Sequence, residues 1–164
     1  MGSKMENTAP SASQLASAFP AIDEMLTQKS GKDAVAAALA LLAKTRADLY
    51  WVGVYLLSRN ELVVGPYVGP ETDHVRIPVG RGVCGTAVAE NKNQIVDDVS
   101  SLQNYLACNL LTKSEIVVLI REPGSNKILG QIDIDSTKKA AFSKNDEQAL
   151  EELARRLAPH LSKC

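Results

Sequence analysis

The chain has 164 residues, 45% apolar and 23% charged, a composition that suits one globular domain with room for a core. A formal net charge of -1 and only 4% aromatic residues, with no basic stripe, argue against nucleic acid as the main partner. No apolar run approaches the roughly 18 residues of a membrane helix, no signal peptide opens the chain, and Glu6 breaks the N-myristoylation pattern where Ser or Thr is needed.

Residues 1–12 read as a disordered N-terminus in which MGSK is a tag remnant, and 13–162 as a single domain. Ser13 to about Ser30 has Leu15, Phe19, Ile22 and Leu26 spaced for one helix face, with Pro20 splitting the helix or starting a new turn. Lys32 to about Arg46 is a stronger helix, striped by Val35, Ala38, Leu39, Leu42 and Ala43. LYWVGVYLL, SRNE and LVVGPYVG, from residue 49 to 69, form the clearest hairpin. Alternation puts Tyr50, Val52, Val54 and Leu56 on one face of its first strand and Trp51, Gly53 and Tyr55 on the other. Two rings flanking a glycine suit either a small pocket or plain core packing.

VRIPV is a short strand, GRGVCG leads to a short helix from Thr86 to about Lys92, and QIVDD is a strand. Ser100 to Ser114 is mostly loop. EIVVLI and KILGQIDID are two further strands, and the last helix runs from about Lys144 to Leu161 with Ser143 as N-cap. The sum is an α+β domain: a mostly antiparallel sheet of about six strands with N- and C-terminal helices packed on one face.

Three places carry chemistry. GRGVCG matches GxGxxG through Gly80, Gly82 and Gly85 and precedes Asp97 and Asp98, which raises a dinucleotide site. The unit is short for that crossover, and its neighbours look antiparallel, so a tight strand-to-helix turn fits better. The cysteines are Cys84, Cys108 and Cys164, an odd number without zinc or CxxC spacing, as expected of a cytoplasmic protein with free or catalytic thiols and no metal centre. Cys84 opens a helix, where a thiolate is favoured, yet a small buried hydrophobe is an equal reading. Cys108 sits in a polar loop. In KILGQIDIDS, Ile128, Gly130, Ile132 and Ile134 face one way, and Leu129, Gln131, Asp133 and Asp135 the other. Glu115 opens the preceding strand, so three carboxylates can converge and raise at least one pKa, although a solvated face is the default for such acids.

GRGVCGTAVAENK, IVDDV, YLACN…SEIVV and GQIDIDS together resemble the free methionine-(R)-sulfoxide reductases, a catalytic branch of the GAF-domain superfamily. The likeness runs from WVGVY to the last helix. It implies reduction of free methionine (R)-sulfoxide, with Cys108 as nucleophile, Cys84 as resolving thiol and thioredoxin as reductant, and no metal, flavin or nucleotide cofactor. It further implies that Glu115, Asp133, Asp135 and one of Asp97 or Asp98 bind the substrate, and that Trp51 and Tyr55 wall its S-methyl group. The expected partners are the free sulfoxide, thioredoxin and a second copy of the chain, without nucleic acid or membrane. The chain departs from the family pattern at His74, in place of a third cysteine, at Asn109, where an acid is usual, and at Leu119, in place of a common proline. His74 and Asn109 support a second reading, a GAF small-molecule sensor without efficient catalysis.

Overall fold

The computed structural model describes residues 12–102 and 111–162, so Cys108, Asn109 and Cys164 lie outside the described residues. The N-terminal helix is split at the proline. A 3-10 turn, Gln14–Ala18, capped by the Ser13 hydroxyl, passes into α1, Phe19–Gln28, in whose first turn Pro20 needs no amide hydrogen. α2, Gly31–Ala43, stops short of Arg46, because the chain turns there to pair Arg46 with Asp48 through two hydrogen bonds of 3.0 and 2.7 Å.

The sheet comprises β1 (Leu49–Ser58), β2 (Glu61–Val68), β3 (Arg76–Pro78), β4 (Gln94–Val96), β5 (Ser114–Arg121) and β6 (Ile128–Ser136), in the order β3-β2-β1-β6-β5-β4. Every described pairing is antiparallel. Val52, Val54, Ile116, Val118, Ile132 and Ile134 face α1, α2 and α4 (Lys144–Leu161) and form the main core. Helix α4 begins with a complete capping box between Ser143 and Asp146. The N- and C-terminal helices thus share one face, as the sequence predicts.

The other face carries α3, Gly82–Glu90, over a second cluster that includes Trp51, Tyr55, Cys84, Val117 and Leu119. α3 starts four residues before the predicted Thr86, so Cys84 lies inside its first turn. The glycine motif serves this packing. A Cβ on Gly85 would lie 2.6 Å from the Pro78 carbonyl oxygen, and the Gly80 amide donates to the Gly85 carbonyl at 2.9 Å. Among the described residues every strand pairing is antiparallel, so they hold no crossover of the dinucleotide-binding kind.

Two register shifts correct the predicted faces. Between Leu49 and Trp51 the β1–β6 pairing slips, so Tyr50 packs with the α3-side cluster and Leu49 with the main core. Between Ile120 and Arg121 the β5–β6 pairing slips, which sends Leu129 to the main core and Ile128 to the α3 side. A bulge inserts one residue and so exchanges the two faces beyond it.

Candidate active site

The α3-side face of the three central strands is a small grid. Asp135 lies opposite Glu115 on one side and Trp51 on the other; Asp133 lies between Val117 and Gly53; Gln131 lies between Leu119 and Tyr55. Strand alternation therefore brings Glu115, Asp133 and Asp135 together, as their spacing predicts. The default of a solvated acid face does not hold: these residues are 4%, 1% and 1% exposed, because α3 covers the grid.

Cys84 reaches down from the first turn of α3, its Sγ 3.9 Å from Glu115 Oε1. Burial, then the charges of Asp133 and Glu115, push its thiol well above its ordinary pKa. The helix N-terminus does not make a ready thiolate here; burial and neighbouring acids outweigh it. Burial also raises Asp133, against the hydrogen bonds of Glu115 and Cys84. Asp135 is pushed well above the carboxylate range by burial and by Asp133, although Thr112 Oγ1 donates to its Oδ2 at 3.5 Å.

Oδ1 of Asp133, Oδ1 of Asp135, Nε1 of Trp51 and both amide atoms of Gln131 are buried with no hydrogen-bond partner among the described residues. Buried polar atoms are nearly always paired, so such a concentration marks a place built for a polar visitor. Trp51 closes one side. Its indole lies across Gly53, where a Cβ would collide with the ring, and stacks between Tyr67 at 5.1 Å and Tyr55 at 5.8 Å. Tyr55 is fully buried and its hydroxyl donates to the His74 carbonyl at 3.0 Å, so it supports the indole from behind. Tyr67 and Thr112 are further site neighbours that residue spacing misses; Tyr67 comes opposite Gly53 only because the β1–β2 pairing shifts register between Gly53 and Tyr55.

Asp97 is exposed and stays outside the buried group, one residue past the Val96↔Glu115 pair. Asp98 caps the turn Val99–Ser101 by accepting from the Ser100 amide and hydroxyl, and pairs with Lys139. Leu119 uses the amide hydrogen a proline would lack, donating to Asn93 Oδ1 at 2.9 Å. Two surface cavities lie elsewhere, one between α4 and the β5–β6 turn and one beside Arg46; neither is lined by a cysteine or a candidate acid. No helix among the described residues is long and apolar enough to cross a membrane.

The GAF domain family model matches residues 29–162. The free methionine-R-sulfoxide reductase of Escherichia coli is 46% identical over 118 residues, covering 72% of this chain and 70% of that protein. Among solved structures, the free methionine-R-sulfoxide reductase of Neisseria meningitidis, in complex with its substrate, is 33% identical with a TM-score of 0.82, covering 96% of both chains. A type II free methionine-R-sulfoxide reductase from Thermoplasma acidophilum is 40% identical with a TM-score of 0.76, over 87% of this chain and 96% of that one. With an antiparallel sheet of this order, a buried thiol among acids and these relatives, the chain belongs to the GAF-domain family and, within it, to the free methionine-R-sulfoxide reductases.

Proposed function

We propose that the protein reduces free methionine (R)-sulfoxide to methionine, with Cys108 as the attacking thiol, Cys84 as the resolving thiol and thioredoxin as the reductant. The observation that carries this reading is the buried group Glu115, Asp133 and Asp135 beside Cys84, in which one oxygen of Asp133 and one of Asp135 find no hydrogen-bond partner among the described residues. A free amino acid brings an ammonium that such carboxylates bind; a methionine inside a peptide has none, so the site prefers the free substrate. In this reading Trp51, backed by Tyr55, walls the S-methyl group, and Asp97 is the exposed acid nearest the buried group.

The raised acids supply the proton. A carboxyl whose pKa burial has raised keeps its proton to higher pH than an ordinary acid, and in this reading it donates to the sulfoxide oxygen as the Cys108 thiolate attacks the sulfur. The S–O bond passes to Cys108 as a sulfenic acid and methionine leaves. Cys84 then condenses with the sulfenic acid, forming a disulfide and water, and a dithiol returns both cysteines to thiols by exchange. The environment of Cys84 supports this division of labour. A thiol held protonated is a poor first nucleophile. Free thiols of this kind suit the reducing cytoplasm, and the active unit is a homodimer in this reading.

The test is to add one equivalent of free methionine (R)-sulfoxide with a dimedone-type probe and locate the adduct by mass spectrometry. The adduct is expected on Cys108. Cys108→Ser should abolish methionine formation, and Cys84→Ser should keep one turnover but lose recycling. Full activity in Cys108→Ser would overturn the assignment.

A further inference from the structure

We propose that Cys84, Glu115 and Asp133 bind one thiophilic divalent cation of the zinc class, and that this cation and the substrate exclude one another. The cation site stands on geometry; the exclusion rests on the substrate reading above. Sγ of Cys84 and one carboxylate oxygen from each acid all lie within 4.8 Å of one another. Sulfur and oxygen ligands of tetrahedral zinc sit about 3.6 Å apart, given bond lengths of about 2.3 and 2.1 Å. The Cys84–Glu115 separation of 3.9 Å is close to that, so side-chain adjustment closes the site without moving a strand. The donors come from α3, β5 and β6, held by packing on three sides.

The second observation is independent of the spacing. Oδ1 of Asp133 and Oδ1 of Asp135 are buried and unpartnered, at 1% exposure for each residue. A thiolate with two carboxylates makes a trianionic cradle that a dication neutralises more fully than an ammonium does. The sulfur sets the class: magnesium and calcium prefer all-oxygen sites, whereas zinc and cadmium accept thiolate with carboxylate. Asp135 lies opposite Glu115 in the ladder, one further buried carboxyl beside the three ligands. Binding exchanges the thiol proton for the cation. It withdraws Cys84 from disulfide formation and takes the oxygens that the substrate's ammonium would use.

The probe is Cd2+, titrated into reduced full-length protein carrying Cys108→Ser and Cys164→Ser, which leaves Cys84 as the single thiol. Thiolate-to-cadmium absorption in the near ultraviolet should saturate at one equivalent and vanish with Cys84→Ser. Asp133→Asn, checked for folding by circular dichroism, should weaken binding about tenfold or more, and Glu115→Gln gives the same test should that variant not fold. Free methionine (R)-sulfoxide should raise the apparent Kd for Cd2+. No saturable band, or a band indifferent to both acid variants, overturns the cation site. A band that the sulfoxide cannot displace upholds the site and overturns the exclusion. Sulfoxide reduction by the wild type without Cd2+ binding overturns the cation site and leaves the catalytic reading standing.

Discussion

In the proposed mechanism Asp135 sets function against stability. Its burial and the nearby Asp133 favour the protonated carboxyl in the folded chain. The unfolded chain ionises it near the ordinary value of about 3.9. Stability is therefore intact below that pH and falls as pH rises towards the higher folded value, since only the unfolded state gains from ionisation. Asp135→Asn removes the titration. We expect it to raise Tm at pH 7, by about 2–4 °C per kcal/mol gained in a chain of this length, with the gain shrinking to nothing near pH 3. Since Asp135 is a proposed proton donor to the sulfoxide oxygen, its replacement should also lower kcat by about 10²–10⁴-fold. Thermal scans at several pH values beside methionine formation rates check both halves; a gain over wild type no larger at pH 7 than at pH 3 would contradict the account. Cys84 gives a companion outcome. With Cys108→Ser and Cys164→Ser, its alkylation by iodoacetamide at pH 7 should be slow, and Asp133→Asn should speed it by removing one of the charges that raise the thiol.

At the scale of elements, the hairpin β1–β2 makes the wall of the proposed site by leaving a side chain out. Gly53 faces Asp133 on one side and Tyr67 on the other, and the Trp51 indole fills the space above it. Gly53→Ala forces the ring aside, an overpacking that costs about 1–3 kcal/mol, and should raise KM more than it lowers kcat. Tryptophan emission reports the ring's displacement directly, since Trp51 is the chain's one tryptophan; unchanged emission and KM would refute the wall. Ser143→Ala is the contrasting case. It removes the α4 cap at a cost of about 1 kcal/mol and should lower Tm while leaving KM alone. The elements themselves were legible because apolar periodicity and turn residues are local signals: the hairpin, the strand pair and the Ser143 start all appear where the pattern puts them. What was not legible depends on tertiary placement. The two bulges follow from strand pairing and exchange Tyr50 with Leu49 and Leu129 with Ile128 between faces. The burial of Asp133 and Asp135 follows from α3 folding over them, and alternation alone cannot tell a covered acid face from a wet one.

For the whole molecule, the question is what holds the acid-bearing end of the sheet. Ser114 and Ser136 are partners in the ladder, each adjacent in sequence to a site acid, and both are tied to the far side of the fold. Ser136 donates to Asp48 at 2.6 Å, and Ser114 donates to the Lys138 carbonyl and accepts from the Ala141 amide. Arg46 joins these pieces. It binds Asp48, donates to the Ala141 carbonyl at 2.9 Å, lies 3.5 Å from Asp146 of the α4 capping box and covers the Phe142 ring. Ser13 closes the circuit by donating to Asp146 at 2.6 Å, so the chain's first described turn, β6 and α4 meet at one guanidinium. Arg46→Met keeps much of the apolar stem but leaves Asp48 and Asp146 without their cation. Breaking a largely buried pair from one side costs about 3 kcal/mol, a fall in Tm on the order of 10 °C. Arg46→Lys should recover only part, since an ammonium cannot reproduce the fork. The pH dependence identifies the cause. Burial acts to raise Asp48, but hydrogen bonds from Arg46 and Ser136 and the Arg46 charge win and lower it. Its contribution is thus present above the ordinary carboxylate value and lost as pH falls through the lower folded one. The Tm gap between wild type and Arg46→Met should be wide at pH 7 and narrow steadily below about pH 4; a gap of constant width down to pH 2 would show that packing on Phe142, not charge, holds this end of the sheet.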